Sequence, residues 1–319
     1  MSTELDLIAS IRRALGPAPP RLLTGPGDDA AVVRADAVAV TSIDTVVDGV
    51  HFSLSTHSAA DIGHKALATA LSDIAAMGAG PGEAYVSLAL PEDFVDALEL
   101  VEGMRELAAM QGFAIAGGDV VSAPVLAVTV SVTGWSGAAD RLVYRSGARP
   151  GDIVGVTGEL GGSGAGLRLL QRSDPADLDA RDREALLRRH RRPEPLLATG
   201  LALAAAGVSA MIDVSDGLAT DAAHVARASG VKLELRLADL PLAPGLAAVA
   251  EQPFEFAATA GDDYELLFTA APERRAAAEQ AAAATGVRVT WLGDVQAGRG
   301  LLELRAADGT VLDATGYEH

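Results

Sequence analysis

Residues 37–78 read AVAVTSIDTVVDGVHFSLSTHSAADIGHKALATALSDIAAMG, a strand-like run followed by a helix-like run. Residues 37–43 are β-branched or small, whereas residues 58–77 carry apolar side chains at helical spacing. Ser58, with Asp61 three residues later, is a fair N-cap signal for this helix. A strand followed directly by a helix predicts a sheet covered by helices.

The same alternation continues along the chain and predicts two domains. Further strands are predicted at 30–33, 84–90, 125–135, 153–157 and 210–214 and near Leu233, Glu265 and Val287, and further helices at 91–110 and 218–229. Gly, Pro and charge gather at residues 141–152, RLVYRSGARPGD, which favours a boundary there. We therefore expect a two-domain α/β fold. Residues 1–140 would form an N-terminal mixed sheet with flanking helices, and residues 141–319 a larger C-terminal α/β domain.

The composition excludes several classes of function. The net charge of −18, from 43 acidic and 25 basic side chains, argues against nucleic acid and anionic membranes as partners. An acidic protein that handles phosphates must recruit cations, and Mg²⁺ is the usual one. The absence of cysteine excludes thiol catalysis, Cys-ligated zinc and disulfides. No run of about 18 apolar residues and no secretion signal is found, so the expected localisation is cytoplasmic.

Aspartates recur beside strand ends, glycine turns and apolar helices. Five motifs share this feature: GDDAAVV (27–33), SIDT (42–45), ALSDIAAMG (70–78), AGGDV (116–120) and MIDVSDG (211–217). Taken singly, each has an ordinary structural explanation, since Asp28 or Asp119 beside glycine is typical of a turn and Asp216 before a helix is typical of an N-cap. The Gly-rich segment 158–167, GELGGSGAGL, is a weak phosphate-binding signal and favours a flexible connection.

Asp73 is harder to explain as a structural residue. It is the only charged side chain from Ala66 to Ala79, in a helix that is apolar or small almost all round and is therefore predicted to be buried. A buried carboxylate must be paired, metal-bound or protonated. Lys65 on the same helix is one candidate partner, and a metal ion shared with the other acidic motifs is the other.

Two of the motifs combine acids with a hydroxyl in a pattern suited to a hard cation. Asp213 and Ser215 are expected on one side of a strand, and Asp216 where the next helix begins. Ser42 and Asp44 have the same spacing of two residues. A helix N-terminus favours anions, so phosphate oxygens bridged to these acids by Mg²⁺ would be stabilised there.

The ordered set of motifs resembles the thiamine-monophosphate kinases, of the superfamily that includes aminoimidazole ribonucleotide synthetase and selenophosphate synthetase. The resemblance spans nearly the whole chain and is carried by GDDAAVV, SIDTVVDGVHF, KALATALSDIAAMGA, GGDV, RSGARPGDIVGVTG, RRPEP, IDVSDGL, GDDYELLFT and GYEH. It implies transfer of the γ-phosphate of ATP to thiamine monophosphate, with several Mg²⁺ ions. It also implies a homodimer joined through N-terminal strands.

The resemblance also implies roles for individual residues. Those matched to metal ligands are Asp29, Ser42, Ile43 through its carbonyl, Asp44, Asp73, Asp119, Asp213 and Asp216. Those matched to nucleotide contacts are Asp119, Arg145, Ser215 and Gly118, and those matched to substrate contacts are His51, Asp262 and Tyr317. Asp44, Asp213 and Arg145 are expected to be catalytic. The chain departs from the family pattern at Ile43, where many relatives have Thr, and at Asp262, where some have the longer Glu.

Two other readings remain open from the sequence. The first is another ATP-using enzyme of the same superfamily that acts on a small phosphorylated substrate. The second is a non-catalytic acidic module that binds calcium, although the sequence has no DxDxDG loop.

Overall fold

The computed structural model describes residues 4–16, 20–26, 30–172, 175, 177–306 and 308–312. Asp29 and Tyr317, two of the predicted site residues, lie outside these residues. The chain divides into two compact units, which we call the N-terminal unit (Met1–Ile74 and Ala79–Ala139) and the C-terminal unit (Ala75–Gly78 and Asp140–His319). Each unit combines a sheet with helices, and the predicted α/β fold class is confirmed.

The N-terminal unit contains a mixed four-stranded sheet. Its helices are α1 (Glu4–Leu15), α2 (Ala59–Ala76) and α3 (Ala97–Gln111), and its strands are β1 (Leu22–Thr24), β2 (Val32–Val33), β3 (Val38–Val47), β4 (Gly80–Leu90), β5 (Ala114–Ser122) and β6 (Ala127–Ser136). The strand order is β3-β6-β4-β5, in which only the β4–β5 pair is parallel. The short β1 and β2 form a separate antiparallel ribbon.

Helix α2 is the buried helix that the sequence predicts. Leu67, Leu71 and Ile74 are fully buried, because nearly every face of this helix is apolar. Its first turn is closed by the predicted cap: Asp61 N–H donates to Ser58 Oγ (3.2 Å), and Ser58 N–H donates to Asp61 Oδ2 (3.3 Å).

Two predicted boundaries in the N-terminal unit are wrong. Helix α3 begins at Ala97 rather than at residue 91, because Pro91 accepts a turn hydrogen bond from Phe94 N–H (3.0 Å) and the helix starts only after Asp96. Strand β3 continues to Val47, since its whole length pairs with β6. Asp44 therefore lies inside a strand and not at its end.

The C-terminal unit is built on a seven-stranded sheet. Its helices are α4 (Gly162–Gln171), α5 (Ala180–Arg191), α6 (Leu197–Ala206), α7 (Leu218–Ser229), α8 (Leu246–Val249), α9 (Pro253–Thr259) and α10 (Arg275–Ala284), and its strands are β7 (Ile153–Thr157), β8 (Ala210–Asp213), β9 (Val231–Arg236), β10 (Leu266–Ala270), β11 (Val289–Ala297), β12 (Leu301–Arg305) and β13 (Val311–Leu312). The order is β13-β12-β9-β11-β7-β10-β8. The β12–β9 pair is parallel and the other pairs are antiparallel.

The central strands β7, β10 and β8 are short apolar runs that are buried almost throughout. Val156, Ile212 and Leu267, one from each strand, belong to one hydrophobic core. The predicted flexible connection at 158–167 is wrong, because α4 begins at Gly162 within it. None of the helices in the described parts of the chain has both the length and the apolarity that crossing a membrane requires.

Candidate active site

In the N-terminal unit, a hydrogen bond joins two of the predicted metal ligands. Ser42 Oγ on β3 donates to Asp73 Oδ2 on α2. Asp44 follows Ser42 by two residues on the same strand, so its side chain faces the same side of the sheet. The structure therefore brings Ser42, Asp44 and Asp73 together, and we call them the β3–α2 acidic cluster.

The β3–α2 acidic cluster carries an unsatisfied negative group. Desolvation, and then the neighbouring charge of Asp73, raise the pKa of Asp44 to about 6, while a hydrogen bond from Ser42 opposes the rise. Asp44 Oδ2 is buried and has no hydrogen-bond partner within the described residues. Buried carboxylate oxygens without partners are costly, and a cation held beside both acids would offset that cost. Carboxylates and a hydroxyl are the donors that Mg²⁺ prefers, so these residues fit the ion.

Asp119 and Gly118 lie on the opposite edge of the same sheet. The register pairs Asp44 with Val130, Val130 with Val86, and Val86 with Gly118. Three strand spacings of about 4.8 Å separate Asp44 from Gly118, which places them about 14 Å apart. Asp119, the next residue, is exposed and faces the other side of the sheet. Within one chain the structure does not bring Asp119 to the β3–α2 acidic cluster.

Gly118 is required by the packing of β5 against β4. A Cβ atom at this position would lie 2.2 Å from the carbonyl oxygen of Val86. No side chain fits at that distance, so the glycine has a structural reason that is independent of any nucleotide.

Ile43 and His51 also lie in the N-terminal unit. The Ile43 side chain is 67% exposed and faces away from Ser42 and Asp44. His51 lies in the turn after β3, where its Nδ1 accepts a hydrogen bond from Val47 N–H (3.1 Å). A neutral His51 ring therefore carries its proton on Nε2.

In the C-terminal unit, Asp213, Ser215 and Asp216 follow one another at the end of β8 and in the turn before α7. Asp213 is the last residue of β8 and is 3% exposed, and Ser215 and Asp216 are half-buried. Gly217 ends the turn with a φ of 106°, a conformation that side-chain-bearing residues avoid. We call residues 213–217 the β8–α7 loop.

A second segment runs beside the β8–α7 loop and fixes its backbone. Tyr264 N–H donates to the carbonyl of Val214 (2.8 Å), and Asp262 N–H donates to the carbonyl of Ser215 (2.8 Å). Gly261 allows this segment to lie so close to the loop, because a Cβ atom at position 261 would lie 2.6 Å from the carbonyl oxygen of Ser215. The predicted substrate residue Asp262 is thus held next to the predicted nucleotide residue Ser215.

Sequence reasoning missed Asp221, which lies in the first turn of α7. Its Oδ2 accepts hydrogen bonds from the backbone N–H groups of Ser215 and Asp216, both at 3.1 Å. Desolvation, and then the charges of Asp213 and Asp216, raise the pKa of Asp221 to about 8. The sequence could have indicated this residue, because Asp221 is an acid on the apolar face of the amphipathic helix α7. The ordinary alternative for Asp216, that it caps α7, does not hold, since the N-cap of α7 is Gly217 and no side chain caps it.

Arg145 is exposed and lies near the β8–α7 loop. Burial lowers the pKa of His224 on α7, the nearby Arg227 and Arg145 lower it further, and Asp216 raises it. Arg145 and Asp216 therefore both lie within electrostatic reach of the same imidazole. The backbone of Arg145 is fixed by Ser229 Oγ, which donates to its carbonyl (3.3 Å).

Asp262 and Tyr264 both have a strained backbone. Their φ angles are +66° and +53°, in the left-handed region that residues with side chains seldom occupy. Tyr264 Oη donates a hydrogen bond to Asp262 Oδ1 (2.9 Å), which fixes the direction of that carboxylate. Strain of this kind is typical of functional sites.

Asp263 anchors the strained segment to α4. Its carboxylate accepts hydrogen bonds from Gly161 N–H (2.6 Å) and Ser163 N–H (3.2 Å), at the N-terminus of that helix. Desolvation raises the pKa of Asp263 to about 7. The N-terminus of α4, in the Gly-rich segment, thus binds the carboxylate of Asp263. The N–H groups that the sequence weakly suggested for a phosphate are used by this side chain instead.

Across the parts of the chain that the structure describes, no group of three or more His, Asp or Glu side chains is arranged to hold a metal ion by itself. The β3–α2 acidic cluster contributes two acids, the predicted ligand Asp119 lies on another strand, and Asp29 is outside the described residues. The metal roles stay predictions.

The chain matches known families over most of its length. Residues 27–136 match the AIR synthase related protein N-terminal domain, and residues 149–302 match the AIR synthase related protein C-terminal domain. The thiamine-monophosphate kinase of Bacillus subtilis (strain 168) is 37% identical over 99% of this chain and 99% of that protein. The chain belongs to the thiamine-monophosphate kinase family. The family resemblance that the motifs indicated is confirmed.

Solved structures of the thiamine-monophosphate kinase family have the same fold. The enzyme from Stenotrophomonas maltophilia K279a is 35% identical, with a TM-score of 0.85 over 96% of both chains. AaThiL in complex with AMPPCP and TMP is 30% identical, with a TM-score of 0.77 over 100% of this chain and 99% of that one.

Proposed function

We propose that this protein phosphorylates thiamine monophosphate to thiamine diphosphate, with ATP as the phosphate donor. The observation that carries this proposal is the combination of family membership with the AaThiL complex, in which a relative of the same fold holds AMPPCP and TMP. The strained Asp262 and the braced β8–α7 loop support it, since both lie where the family resemblance implies substrate and nucleotide contacts.

The proposed reaction is a direct transfer between two phosphates. A P–O bond to the β-phosphate of ATP breaks, a P–O bond from the acceptor phosphate to the γ-phosphorus forms, and ADP leaves with the electron pair. The second pKa of a phosphate monoester is about 6, so the acceptor is largely ionised at neutral pH and no general base is needed. The expected catalytic residues Asp44, Asp213 and Arg145 therefore position and neutralise charge rather than move a proton.

Repulsion between donor and acceptor is the main obstacle to this reaction. Two unit charges about 4 Å apart repel by on the order of 4 kcal/mol at an effective dielectric of about 20. Several Mg²⁺ ions, when bound, supply the positive charge that offsets this repulsion. We expect the β3–α2 acidic cluster, the carbonyl of Ile43, Asp29, Asp119, Asp213 and Asp216 to hold them. The unsatisfied Oδ2 of Asp44 supports this assignment.

We also infer that the protein is a homodimer joined along the edges of the N-terminal sheet. Strands β3 and β5 are the two edges of that sheet, and Ile43 on β3 and Val121 on β5 are exposed apolar side chains. Pairing β3 of one copy with β5 of the other covers both edges, which would otherwise offer unpaired backbone groups to other chains. It also places β5 of one copy, which carries Asp119, beside β3 of the other, which carries Ser42 and Asp44. Residues 1–140 would then hold the dimer interface and those parts of the Mg²⁺ and ATP site that lie outside the C-terminal unit.

A product assay tests the proposed function. Purified protein with ATP and Mg²⁺ is offered thiamine monophosphate in one reaction and free thiamine in another. We expect thiamine diphosphate and ADP from the first reaction only, and loss of both products in Asp44→Asn and Asp213→Asn. Glu92→Ala, at an exposed position between β4 and α3, serves as the control that retains activity.

The opposite result has a clear meaning. Folded protein that binds ATP with Mg²⁺ but converts neither acceptor would overturn the substrate, and leave another small phosphorylated acceptor as the next candidate. A phosphoprotein that forms and decays at the rate of turnover would overturn direct transfer.

A further inference from the structure

We propose that Asp221 is a positioning residue that holds the backbone of Ser215 and Asp216 in the conformation that receives the Mg²⁺–nucleotide. The proposal rests on the proposed function, because it assigns the nucleotide to the β8–α7 loop. Asp221 is not one of the residues that the family resemblance matched to a ligand. Its role is to act through its two neighbours and not to touch the nucleotide itself.

The geometry of Asp221 points to the loop rather than to its own helix. Its side chain is 2% exposed, and one oxygen accepts both N–H groups, from Ser215 and Asp216, at 3.1 Å. These N–H groups precede the N-cap Gly217, so the backbone of α7 offers them no carbonyl acceptor. An N–H group that is shielded from water and lacks an acceptor is unfavourable, so the loop would change conformation if the carboxylate were removed.

The β8–α7 loop is held from both sides. On one side, the carbonyls of Val214 and Ser215 accept hydrogen bonds from Tyr264 N–H and Asp262 N–H. On the other side, the N–H groups of Ser215 and Asp216 donate to Asp221. The carbonyl and N–H groups of Ser215 are thus both occupied, so the backbone of this residue is fixed on both sides. Asp221 supplies one of the two supports.

Asp221 stands at an electrostatically unfavourable position. Its side chain is buried, and it contacts the loop that carries Asp213 and Asp216. Stability alone does not favour an acid beside the buried Asp213 and the half-buried Asp216, since like charges at a buried site destabilise the fold. The hydrogen bonds to the loop backbone give a reason for an acid at this position.

The experiment compares three variants by steady-state kinetics with ATP, Mg²⁺ and thiamine monophosphate. Asp221→Ala removes both hydrogen bonds, and we expect the KM for Mg²⁺–ATP to rise at least about tenfold while the KM for thiamine monophosphate changes less than about threefold. Asp221→Asn keeps one oxygen acceptor, so it raises the KM for Mg²⁺–ATP by a clearly smaller factor. Val225→Ala, in the buried face of the same helix, is the matched control for lost stability.

Each outcome decides the proposal. A KM for Mg²⁺–ATP in Asp221→Ala that equals the wild-type value overturns it, and so does an equal rise in Val225→Ala, which would mean a general loss of stability. An Asp221→Asn variant as impaired as Asp221→Ala would also overturn it, because Asn retains the oxygen acceptor on which the proposal rests. Wild-type protein with no kinase activity would instead overturn the proposed function, so the two failures are distinguishable.

Amide hydrogen exchange of the wild-type protein tests the proposal even if Asp221→Ala fails to fold. Ser215 and Asp216 precede α7, and their N–H groups should nevertheless exchange slowly because Asp221 accepts them. Fast exchange at both amides would contradict the proposed support.

Discussion

Asp44 and Asp119 lie on the two edge strands of one four-stranded sheet, with β6 and β4 between them. If both acids serve one active site, as the family resemblance implies, they must come from two copies of the chain. A closed two-fold dimer that pairs β3 with β5 builds two equivalent sites of this kind.

The first prediction is that Asp44→Asn and Asp119→Asn complement each other. Each variant alone is expected to be inactive. In a mixed dimer, one site carries both substitutions and the other carries neither. With random assortment, half the dimers are mixed, so about a quarter of the wild-type activity returns when the two variants are coexpressed or exchanged.

A mixture of Asp44→Asn and Asp73→Asn is the matched control for complementation. Both residues belong to the β3–α2 acidic cluster of one chain, so every site in a mixed dimer carries one substitution. This mixture should stay inactive. If it regains as much activity as the first mixture, or if neither does, the proposed arrangement across the dimer is wrong.

The second prediction concerns stability with and without Mg²⁺. Asp44 and Asp73 repel each other, and the buried Asp44 Oδ2 has no hydrogen bond from any residue that the structure describes. Asp44→Asn removes that repulsion, so in EDTA we expect it to be more stable than the wild-type protein by about 1 kcal/mol. With Mg²⁺ and ATP the order reverses, because only the wild-type cluster gains binding free energy. Thermal unfolding in the two buffers measures both values, and curves that keep the same order would exclude a cation at this cluster.

The sequence predicts those elements whose local signals agree with their packing. Helix α2 has an apolar surface and a capping box, and helix α7 ends at Gly230 in the left-handed conformation that the glycine suggested. Asp73 was expected to need a partner, and it accepts a hydrogen bond from Ser42. In these cases, the structure that the local sequence pattern favours is also the one that the surrounding fold stabilises.

Other features depend on contacts far along the chain, which a single sequence does not display. In the sequence, Asp221 resembles an ordinary acid in the first turn of a helix. Only the folded structure shows that the N–H groups of Ser215 and Asp216 donate hydrogen bonds to it. The Gly-rich segment 158–167 resembles a loop in the sequence. Helix α4 begins within it, and the N–H groups at the start of that helix donate to Asp263, about a hundred residues later in the chain. The distance between Asp44 and Asp119 depends on strand order, which local periodicity does not encode.

The third prediction concerns the strained pair Asp262 and Tyr264. Tyr264→Phe removes the hydroxyl that fixes the Asp262 carboxylate, so we expect the KM for thiamine monophosphate to rise by roughly 3–10-fold. Asp262→Asn tolerates the left-handed backbone and still accepts from Tyr264, but it loses the charge and should raise the same KM further. The KM for ATP should stay within about twofold in both variants. Equal increases for the two substrates would argue against a substrate-specific role for Asp262.

The fourth prediction is a pH dependence of stability that arises from Asp263. Desolvation raises its pKa from 3.8 to about 7, with Glu265 adding to the rise and Arg189 opposing it. Because the folded pKa lies above the unfolded one, the contribution of Asp263 is fully present below pH 3.8 and is lost as the pH rises through about 7. Asp263→Asn does not titrate, so the unfolding free energy of the wild-type protein should fall relative to this variant by on the order of 2 kcal/mol between about pH 5 and pH 8, after allowance for partial exposure. Urea denaturation of both proteins across this range measures the difference. The contrary outcome is a difference in unfolding free energy between the two proteins that is constant with pH, or that changes in favour of the wild-type protein as the pH rises. Either result would mean that Asp263 is ionised in the folded protein throughout, stabilised by the N–H groups of Gly161 and Ser163.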